Sequence, residues 1–319
     1  MPHLPIRKYE ITVRRLLPLV AAALLAASLA ACGGGEDATS LPTVTGKLGE
    51  KPTVTAPDRD PSMTLVSNVV TKGDGAKIAK GDLVVVNYLG QLWRDNKAFD
   101  TSYGRAPVSF RLGKDPIITG WVDGLVGKNV GSRVLLVIPP DKGFGTKGLP
   151  DAGIKPDDTL VFVVDVLGSY APTSSLNAAV ATGGGGALPA VSGAGDKKPT
   201  ITIPTTARPP AKTTVRTVIE GDGATVAKGD LVVVKYTGLS WSTGKEFDSS
   251  WKRNEPAAFT LDDSQVIKGW VEGLTGVKTG SRVLLVIPPA SGYGKAGRPE
   301  GGIKKNETLV FAVDVLGTF

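Results

Sequence analysis

The side chains best suited to chemistry in this sequence are aromatic, with one aspartate and one arginine among them. Between positions 236 and 293 they are Tyr236, Asp248, Arg253, Trp270 and Tyr293. A carboxylate within an apolar cluster needs a partner, because an unpaired buried charge is costly. We therefore expect a buried Asp248 that is hydrogen-bonded to Tyr236 or paired with Arg253. The alternative is a solvated aspartate in a turn.

Histidine and cysteine are nearly absent, and this excludes several kinds of site. The chain has one histidine, His3, and one cysteine, Cys32. His3 lies in a segment with the layout of a cleaved leader, and Cys32 follows that segment as the first residue of the expected mature chain. A mature chain with no histidine, and with no thiol beyond its first residue, excludes Ser-His-Asp and Cys-His nucleophile systems and metal sites built on histidine or cysteine. We expect no metal and no cofactor.

The N-terminal segment predicts export and a lipid anchor. A basic stretch ends at Arg15, and an apolar, alanine-rich run over 16–31 follows it. This run is too short for a comfortable transmembrane helix. Its end, Leu29-Ala-Ala-Cys32, resembles a bacterial lipoprotein signal, which implies fatty acylation of Cys32 and an extracytoplasmic location at the bacterial cell membrane. An ordinary secretory signal with an incidental cysteine is the alternative.

Two long stretches of the chain repeat each other. Ala79–Val86 is identical to Ala227–Val234, and Gly131–Pro140 is identical to Gly280–Pro289. A period of about 150 residues is too long for a solenoid, so the chain has two similar domains. The predicted organisation is a signal peptide (1–31), a flexible tether (32–62), a first domain (63–170), a flexible Gly/Pro/Ala/Thr-rich linker (171–213) and a second domain (214–319).

The sequence of each repeat predicts a sheet with one short helix. Runs rich in β-branched residues, bounded by Gly, Pro or Asp, predict strands over 83–92, 108–112, 133–138 and 160–167 of the first repeat. The helix candidates are short, Ile118–Leu125 and Ile267–Leu274, and each carries a tryptophan between glycines. Without long amphipathic helices, parallel βαβ units are not expected. We predict an α+β fold in which a curved antiparallel sheet wraps around one short helix.

Several dispersed motifs of both repeats match one known family in order and spacing. In the second repeat these are Val266-Ile-Lys-Gly-Trp270, Phe247-Asp248, Gly-Tyr293-Gly and Thr308–Phe311. They resemble FKBP-type peptidyl-prolyl cis-trans isomerases, and the resemblance covers about two-thirds of the chain. It implies two FKBP-like domains, each with a sheet of five or six antiparallel strands around the helix, and a pocket lined by aromatic residues.

The resemblance implies equivalent pocket residues in the two repeats. In the second repeat they are Tyr236, Phe247, Asp248, Arg253, Phe259, Val266, Ile267, Trp270, Tyr293, Ile303 and Phe311. In the first repeat they are Tyr88, Phe99, Asp100, Arg105, Phe110, Ile117, Ile118, Trp121, Phe144, Ile154 and Phe162.

Catalytic roles are expected for some of these residues and substrate binding for the others. The catalytic candidates are Asp248, Tyr293, Tyr236, Phe247, Trp270, Asp100 and Tyr88. The hydroxyl of Tyr293 is expected to donate to the substrate carbonyl, although a hydrophobic anchor in its loop is an alternative. For the tryptophans and strand phenylalanines, the alternative is a purely structural role in the hydrophobic core.

The implied reaction suits a chain without nucleophiles. Rotation about a peptide bond loses amide resonance, yet no bond is broken, so no cofactor is needed. The expected partners are proline-containing unfolded or exported polypeptides, and macrolides of the FK506 or rapamycin type are candidate ligands. Scattered basic residues, despite a net charge of +7, predict no nucleic-acid partner. A proline-binding chaperone or a receptor with little catalysis is the alternative function.

The two repeats differ at the predicted site. Phe144 stands in the first repeat where the second has Tyr293, so the hydroxyl donor is missing there. The loop from Asp100 is one residue shorter than the loop from Asp248. We therefore predict that the second domain is the better catalyst and that the first leans towards binding.

Overall fold

The computed structural model describes residues 41–178 and 181–319. The predicted signal peptide and Cys32 lie outside these residues. In the first half of the chain, the elements are β1 (Thr43–Thr45), β2 (Thr53–Thr55), β3 (Val66–Thr71), β4 (Leu83–Leu92), β5 (Ala98–Thr101), β6 (Val108–Arg111), α1 (Thr119–Leu125), β7 (Arg133–Ile138) and β8 (Leu160–Tyr170). In the part of the chain that is described, no helix has the length and apolar character needed to cross a bilayer.

The second half repeats this order after three additional strands. Its elements are β9 (Ala181–Gly185), β10 (Leu188–Gly193), β11 (Thr200–Thr202), β12 (Thr214–Ile219), β13 (Leu231–Ser240), β14 (Glu246–Ser249), β15 (Ala257–Thr260), α2 (Lys268–Leu274), β16 (Arg282–Ile287) and β17 (Leu309–Thr318). Single 3-10 turns cover Pro140–Lys142, Gly145–Lys147, Pro150–Ala152, Pro289–Ser291 and Pro299–Gly301.

Each repeat forms a six-stranded antiparallel sheet. The first follows the order β3-β7-β8-β4-β5, with β6 also paired to β4, and the second follows the order β12-β16-β17-β13-β14, with β15 also paired to β13. The long strands β4 and β8 pair from Leu83–Tyr170 to Leu92–Leu160 and form the centre of the first sheet. The predicted α+β fold, an antiparallel sheet with one short helix in each repeat, is confirmed.

The buried central strands were the easiest to predict. Strands β4 and β7 begin and end at the predicted residues, whereas β8 continues to Tyr170. Strands β3 and β5 were not predicted. Both are short, lie at the sheet edges and carry many exposed residues, so their sequences have little hydrophobic patterning.

Glycines bring each short helix unusually close to its sheet. A Cβ atom added at Gly120 would lie 2.5 Å from Cγ2 of Ile138, and one added at Gly124 would lie 2.6 Å from Cδ2 of Leu136. In α2, the equivalent distance from Gly269 to Ile287 is 2.3 Å. Because real Cβ atoms do not approach other atoms so closely, a larger residue would push the helix and its tryptophan away from the sheet.

The central strands are buried on both faces, which means that something must cover the face opposite the helix. In β7, Leu136 and Ile138 belong to the cluster around α1, whereas Leu135 and Val137 belong to a second cluster with Val54 of β2. Side chains alternate between the two faces of a strand. The hairpin of β1 and β2 therefore supplies the cover of the first sheet.

The second sheet is covered in the same way by β9, β10 and β11. Val191 of β10 is buried in one cluster with Leu284 and Val286 of β16. The predictions of a flexible tether (32–62) and a flexible linker (171–213) are therefore wrong where these strands occur. Their low-complexity composition hid the few apolar residues that dock onto an otherwise exposed sheet face.

A buried ion pair fixes each covering segment. Arg133 Nε and Nη2 donate to the two carboxylate oxygens of Asp165 at 2.6 and 2.8 Å, and neither side chain is exposed to solvent. Two further guanidinium N–H groups donate to the carbonyls of Gly46 at 2.8 Å and Glu50 at 2.7 Å, in the turn between β1 and β2. The buried charge is thus paired, and each guanidinium nitrogen has a hydrogen-bond partner, as a low-dielectric site requires.

The second domain contains an equivalent buried ion pair. Arg282 donates to Asp314 at 2.5 and 2.8 Å, and its Nη1 donates to the carbonyl oxygens of Gly193 at 3.1 Å and Ala194 at 3.0 Å. These carbonyls lie at the end of β10 and just beyond it. Each arginine therefore links the sheet to the segment that precedes it in the chain.

We expect Arg133→Met to lower the free energy of unfolding by about 3–5 kcal/mol, because it leaves the Asp165 carboxylate buried without its cationic partner. Urea unfolding followed by circular dichroism measures the change. Arg216→Met, at an exposed position of β12, is the matched control and should change stability by less than about 0.5 kcal/mol. Equal effects of the two substitutions would contradict the role given to the ion pair.

Candidate functional site

A cage of five aromatic rings lies between the helix and the sheet of the second domain. The Trp270 ring from α2 meets Tyr236, Phe259 and Phe311 edge to face, with ring centroids 5.3, 5.0 and 5.2 Å apart. Phe247 meets Phe311 edge to face at 5.5 Å. Edge-to-face contact is the favoured geometry of aromatic pairs and leaves the shape of the cage well defined.

The first domain builds the same cage. Trp121 meets Tyr88, Phe110 and Phe162 at 5.3, 5.2 and 5.1 Å, and Phe99 meets Phe162 at 5.5 Å. The two sets come from equivalent elements. The tryptophan lies on the helix and each of the other rings comes from a different strand, so only the folded sheet brings them together.

A glycine within the central strand makes room for two of these rings. A Cβ at Gly238 would lie 2.6 Å from the Phe311 ring and 2.8 Å from the Phe247 ring. Gly90 has the same relation to Phe162 and Phe99 in the first domain. Sequence reasoning missed both glycines. The available signal was a glycine inside an otherwise β-branched strand, which is typical of a close approach.

The aspartate, tyrosine and arginine predicted to interact form one hydrogen-bonded group. The Tyr236 hydroxyl and Arg253 Nη1 donate to different oxygens of Asp248, and Arg253 Nη2 donates to the tyrosine hydroxyl at 3.0 Å. Both candidate partners of Asp248 are therefore used at once. The expected burial is wrong, since 40% of the Asp248 side chain is exposed. The carboxylate lies at the rim of the cavity, where water solvates part of it.

The first domain has a looser version of this group. The Tyr88 hydroxyl donates to Asp100, and Arg105 donates to Asp100 at 2.9 Å. A second contact of Arg105 goes to the carbonyl of Thr101, whereas Arg253 uses its second contact on the tyrosine hydroxyl. The side chain of Arg105 is also more exposed, at 64% against 48% for Arg253. The wall of the second pocket is thus held more firmly.

These contacts shift the ionisation of the second-domain group. Burial raises the pKa of Tyr236 to about 12, and the hydrogen bond to Asp248 acts in the same direction. Burial also favours the neutral form of Asp248, but the hydrogen bonds from Tyr236 and Arg253 outweigh it and lower the pKa of the carboxyl below its ordinary value. At neutral pH the tyrosine is therefore a hydrogen-bond donor and the aspartate an acceptor.

The cages open into cavities of about 530 Å³ in the first domain and about 720 Å³ in the second. Such volumes fall in the range of ligand pockets, about 300–1,000 Å³. The first cavity is lined by Tyr88, Phe99, Asp100, Val108, Phe110, Pro116, Ile117, Ile118, Trp121, Phe144, Leu149, Asp151, Ala152, Ile154 and Phe162. The second is lined by Tyr236, Phe247, Asp248, Ala257, Phe259, Asp263, Ser264, Gln265, Val266, Ile267, Lys268, Trp270, Gly292, Tyr293, Arg298 and Phe311.

Most of the predicted pocket residues line these cavities, with three exceptions. Arg105 and Arg253 do not line them but bond the carboxylates that do. Ile303 is not part of the second lining and is buried in the hydrophobic core, although its equivalent Ile154 lines the first cavity. Its predicted contact with substrate is therefore not supported by its position.

The two cavities differ in the polarity of their rims. The second adds Asp263, Lys268 and Arg298 to the predicted residues, and the guanidinium of Arg298 lies 5.8 Å from the Tyr293 ring. In the first cavity, Leu149 occupies the position of Arg298 and Phe144 that of Tyr293, and the lining is largely apolar. Sequence comparison of the repeats had singled out the Phe144–Tyr293 difference, but not the polar residues on the segment before α2.

We expect Gly238→Ala to lower the free energy of unfolding by about 1–3 kcal/mol and to weaken ligand binding in the second domain, because the added methyl group overlaps two rings of the cage. Gly301→Ala is the control, since its Cβ would meet no atom closer than 3.5 Å. Denaturant unfolding and titration with a proline peptide measure the two effects. Tolerance of alanine at position 238 would contradict the close approach.

The depressed pKa of Asp248 predicts a pH dependence of stability. Its ionised form stabilises the fold above the ordinary aspartate pKa of about 3.9, and this contribution is lost as the pH falls through the lower folded value. Asp248→Asn should therefore make the decline in unfolding free energy below about pH 4 shallower. Tyr236→Phe should also make this decline shallower, but by less, because Arg253 still donates to the Asp248 carboxylate. An unchanged slope for Asp248→Asn would contradict this assignment.

Comparison with known proteins agrees with the fold and the site. The family model described as FKBP-type peptidyl-prolyl cis-trans isomerase matches residues 75–167 and 223–316. An FK506-binding protein of Streptomyces anulatus is 42% identical over 120 residues, which are 38% of this chain and 96% of that protein.

FkpA, an FKBP-type peptidyl-prolyl cis-trans isomerase of Escherichia coli, is 51% identical over 96 residues, 30% of this chain and 34% of FkpA. The crystal structure of FkpA is 45% identical, with a TM-score of 0.32, and the match covers 35% of this chain and 51% of that one. The family model extends over more than half of the chain, and the cage recurs in both repeats. The chain therefore belongs to the family of FKBP-type peptidyl-prolyl cis-trans isomerases.

Proposed function

We propose that this peptidyl-prolyl isomerase acts on X-Pro bonds of unfolded exported polypeptides, and that its second domain is the more active of the two. The observation that carries the ranking is that Tyr293, which bears a hydroxyl, lines the second cavity where Phe144 lines the first. The firmer contacts of Arg253 with Asp248 and Tyr236 support the same ranking.

To accelerate this reaction, the site must favour the twisted amide over the planar one. The barrier to peptide rotation is about 18–20 kcal/mol, and uncatalysed X-Pro isomers exchange in tens of seconds or slower. The planar amide is more polar than the twisted transition state, because twisting breaks the resonance that puts negative charge on the carbonyl oxygen. An environment that removes water from the amide therefore favours the twisted form over the planar one.

The second cavity can supply this environment. Trp270, which is only 5% exposed, forms an apolar floor for the proline ring, and Phe247 and Phe311 complete the wall. Tyr293 can donate a hydrogen bond to a substrate carbonyl and so hold the chain on one side of the bond that rotates. The Asp248 group keeps the wall in place and does not need to change its ionisation during the reaction.

A binding role is the second candidate function, and it applies to the first domain. Its cavity keeps the aromatic cage but lacks the hydroxyl at Phe144, and Leu149 makes its rim more apolar. Such a pocket can hold a proline segment while the second domain acts on another part of the same polypeptide. Two linked sites raise the effective concentration of the chain at each. Macrolides of the FK506 type are proposed ligands of both cavities.

We further propose that the protein is anchored outside the bacterial cytoplasmic membrane through Cys32. Support comes from the sequence alone, which has a basic, then apolar segment that ends in Leu-Ala-Ala-Cys. A lipid-anchored isomerase would meet polypeptides as they emerge from export. Metabolic labelling with a fatty acid tests the anchor, since Cys32→Ala should abolish incorporation.

Reciprocal exchange of one hydroxyl tests the ranking of the two sites. Tyr293→Phe should reduce the second-domain kcat/KM about threefold to tenfold, the cost of one hydrogen bond, whereas Phe144→Tyr should raise that of the first. Each site is measured by acceleration of X-Pro isomerisation in a chain whose other site carries the aspartate-to-alanine change, Asp100→Ala or Asp248→Ala. A faster first domain before the exchange would contradict the proposal.

A further inference from the structure

The two domains meet through equivalent residues of the two repeats. Leu83 and Val85 of β4 belong to one buried cluster with Leu231 and Val233 of β13. These side chains alternate along their strands with those that face the helices. Each sheet thus uses the end of its central strand, on the face opposite its helix, to bind the other domain.

The contact is reciprocal, as in a two-fold symmetric dimer. Tyr170 and Phe319 occupy equivalent positions, and their rings meet edge to face at 6.4 Å. A Cβ at Gly317 would lie 1.8 Å from the Tyr170 hydroxyl, and one at Gly168 would lie 2.7 Å from the Phe319 ring. Each aromatic ring therefore fills the space left by a glycine of the other domain, which fixes how the two domains sit together.

One part of the interface has no reciprocal counterpart. Arg111 Nε of the first domain lies 3.1 Å from Glu255 Oε2 of the second, and Lys114 Nζ lies 2.6 Å from Glu255 Oε1. Arg111 Nη2 also donates to the carbonyl of Pro256 at 2.7 Å. The Arg111 and Glu255 side chains are only 24% and 23% exposed, so salt screens this pair less than an open surface pair.

The residue that receives these contacts belongs to the loop that carries Arg253. This loop, 250–256, is closed by a hydrogen bond from the Glu255 amide to the Ser250 carbonyl at 3.1 Å. It is tied to the site through Ser250, whose amide donates to the Tyr236 carbonyl at 3.0 Å. Arg253 in turn holds Asp248 and the Tyr236 hydroxyl. A displacement of Glu255 would therefore move the arginine that supports the pocket wall.

Sequence differences between the repeats make the arrangement one-sided. The second loop reads Arg253-Asn-Glu-Pro256, whereas the first reads Arg105-Ala-Pro107. The longer loop is accommodated by Asn254, whose φ of 52° lies in the left-handed region that asparagine tolerates. The counterpart of Arg111 is Thr260, which cannot form an ion pair. The second domain therefore makes no equivalent ion pair with the loop of the first domain that carries Arg105.

We propose that the first domain positions the 250–256 loop of the second domain through Glu255, so that Arg111 and Lys114 are positioning residues for the second active site. The inference rests on the proposed function, because it requires that site to be catalytic. It also gives the less active copy a role that an isolated binding domain would not have. The contacts act on the second site alone.

A charge exchange in the full chain tests this inference. The reference chain carries Phe99→Ala and Asp100→Ala, so that isomerase activity comes from the second site. Into it are introduced Arg111→Glu, Glu255→Arg, and both together. The matched control is Arg216→Glu, which makes the same charge change at an exposed position of β12. Catalysis of X-Pro isomerisation, proline-peptide affinity and thermal unfolding are measured for each.

We expect each single variant to lower the second-site kcat/KM about threefold to tenfold, and the double variant to return to within about twofold of the reference. The control should match the reference, and thermal unfolding should remain cooperative throughout. Rescue by the exchanged pair would not follow from a general loss of stability.

Three results would contradict the proposals, and they can be told apart. An inactive reference chain that still unfolds cooperatively would overturn catalysis by the second site. An active reference chain whose single variants keep full activity would overturn the positioning role and leave the proposed function intact. Loss of activity without recovery in the double variant, with the fold retained, would also overturn it.

Discussion

The close seating of one short helix on the sheet is the constraint on which the site depends. Gly120 and Gly124, and their equivalents in α2, let the helix backbone approach β7 or β16 more closely than any side chain would permit. This places the tryptophan where rings from different strands can meet it edge to face. A helix of seven residues has little stability of its own, so its position comes from this packing.

The opposite face of each sheet is organised by a buried arginine. Arg133 and Arg282 each pair with an aspartate of the neighbouring strand. Their other guanidinium nitrogens donate to carbonyl groups of the covering segment. The ion pair and the covering segment require each other, because the charge needs partners in a dry environment and the segment has few apolar residues. This explains why Gly- and Pro-rich stretches are ordered here.

Sequence differences between the two repeats give the molecule its asymmetry. The apolar interface keeps the two-fold pattern of equivalent residues, with Tyr170 and Phe319 each packed against a glycine of the other domain. The differences between the copies lie around the sites, in Phe144 against Tyr293 and in the longer loop that carries Glu255. A shared scaffold thus holds two pockets with different rims and a one-sided contact between them.

The sequence by itself determined the two repeats, the central strands, the short helix and the five rings of each cage, because these depend on local patterns and on motifs in a fixed order. The candidate partners of Asp248 could also be named, because the family resemblance implied a shared pocket for Asp248, Tyr236 and Arg253 and a buried carboxylate requires a partner. Only the tertiary structure decided that Asp248 is partly exposed, that Ile303 belongs to the core, that low-complexity segments cover the sheets, and that Glu255 meets Arg111. Each of these depends on contacts between residues far apart in the chain, and no local pattern specifies such partners.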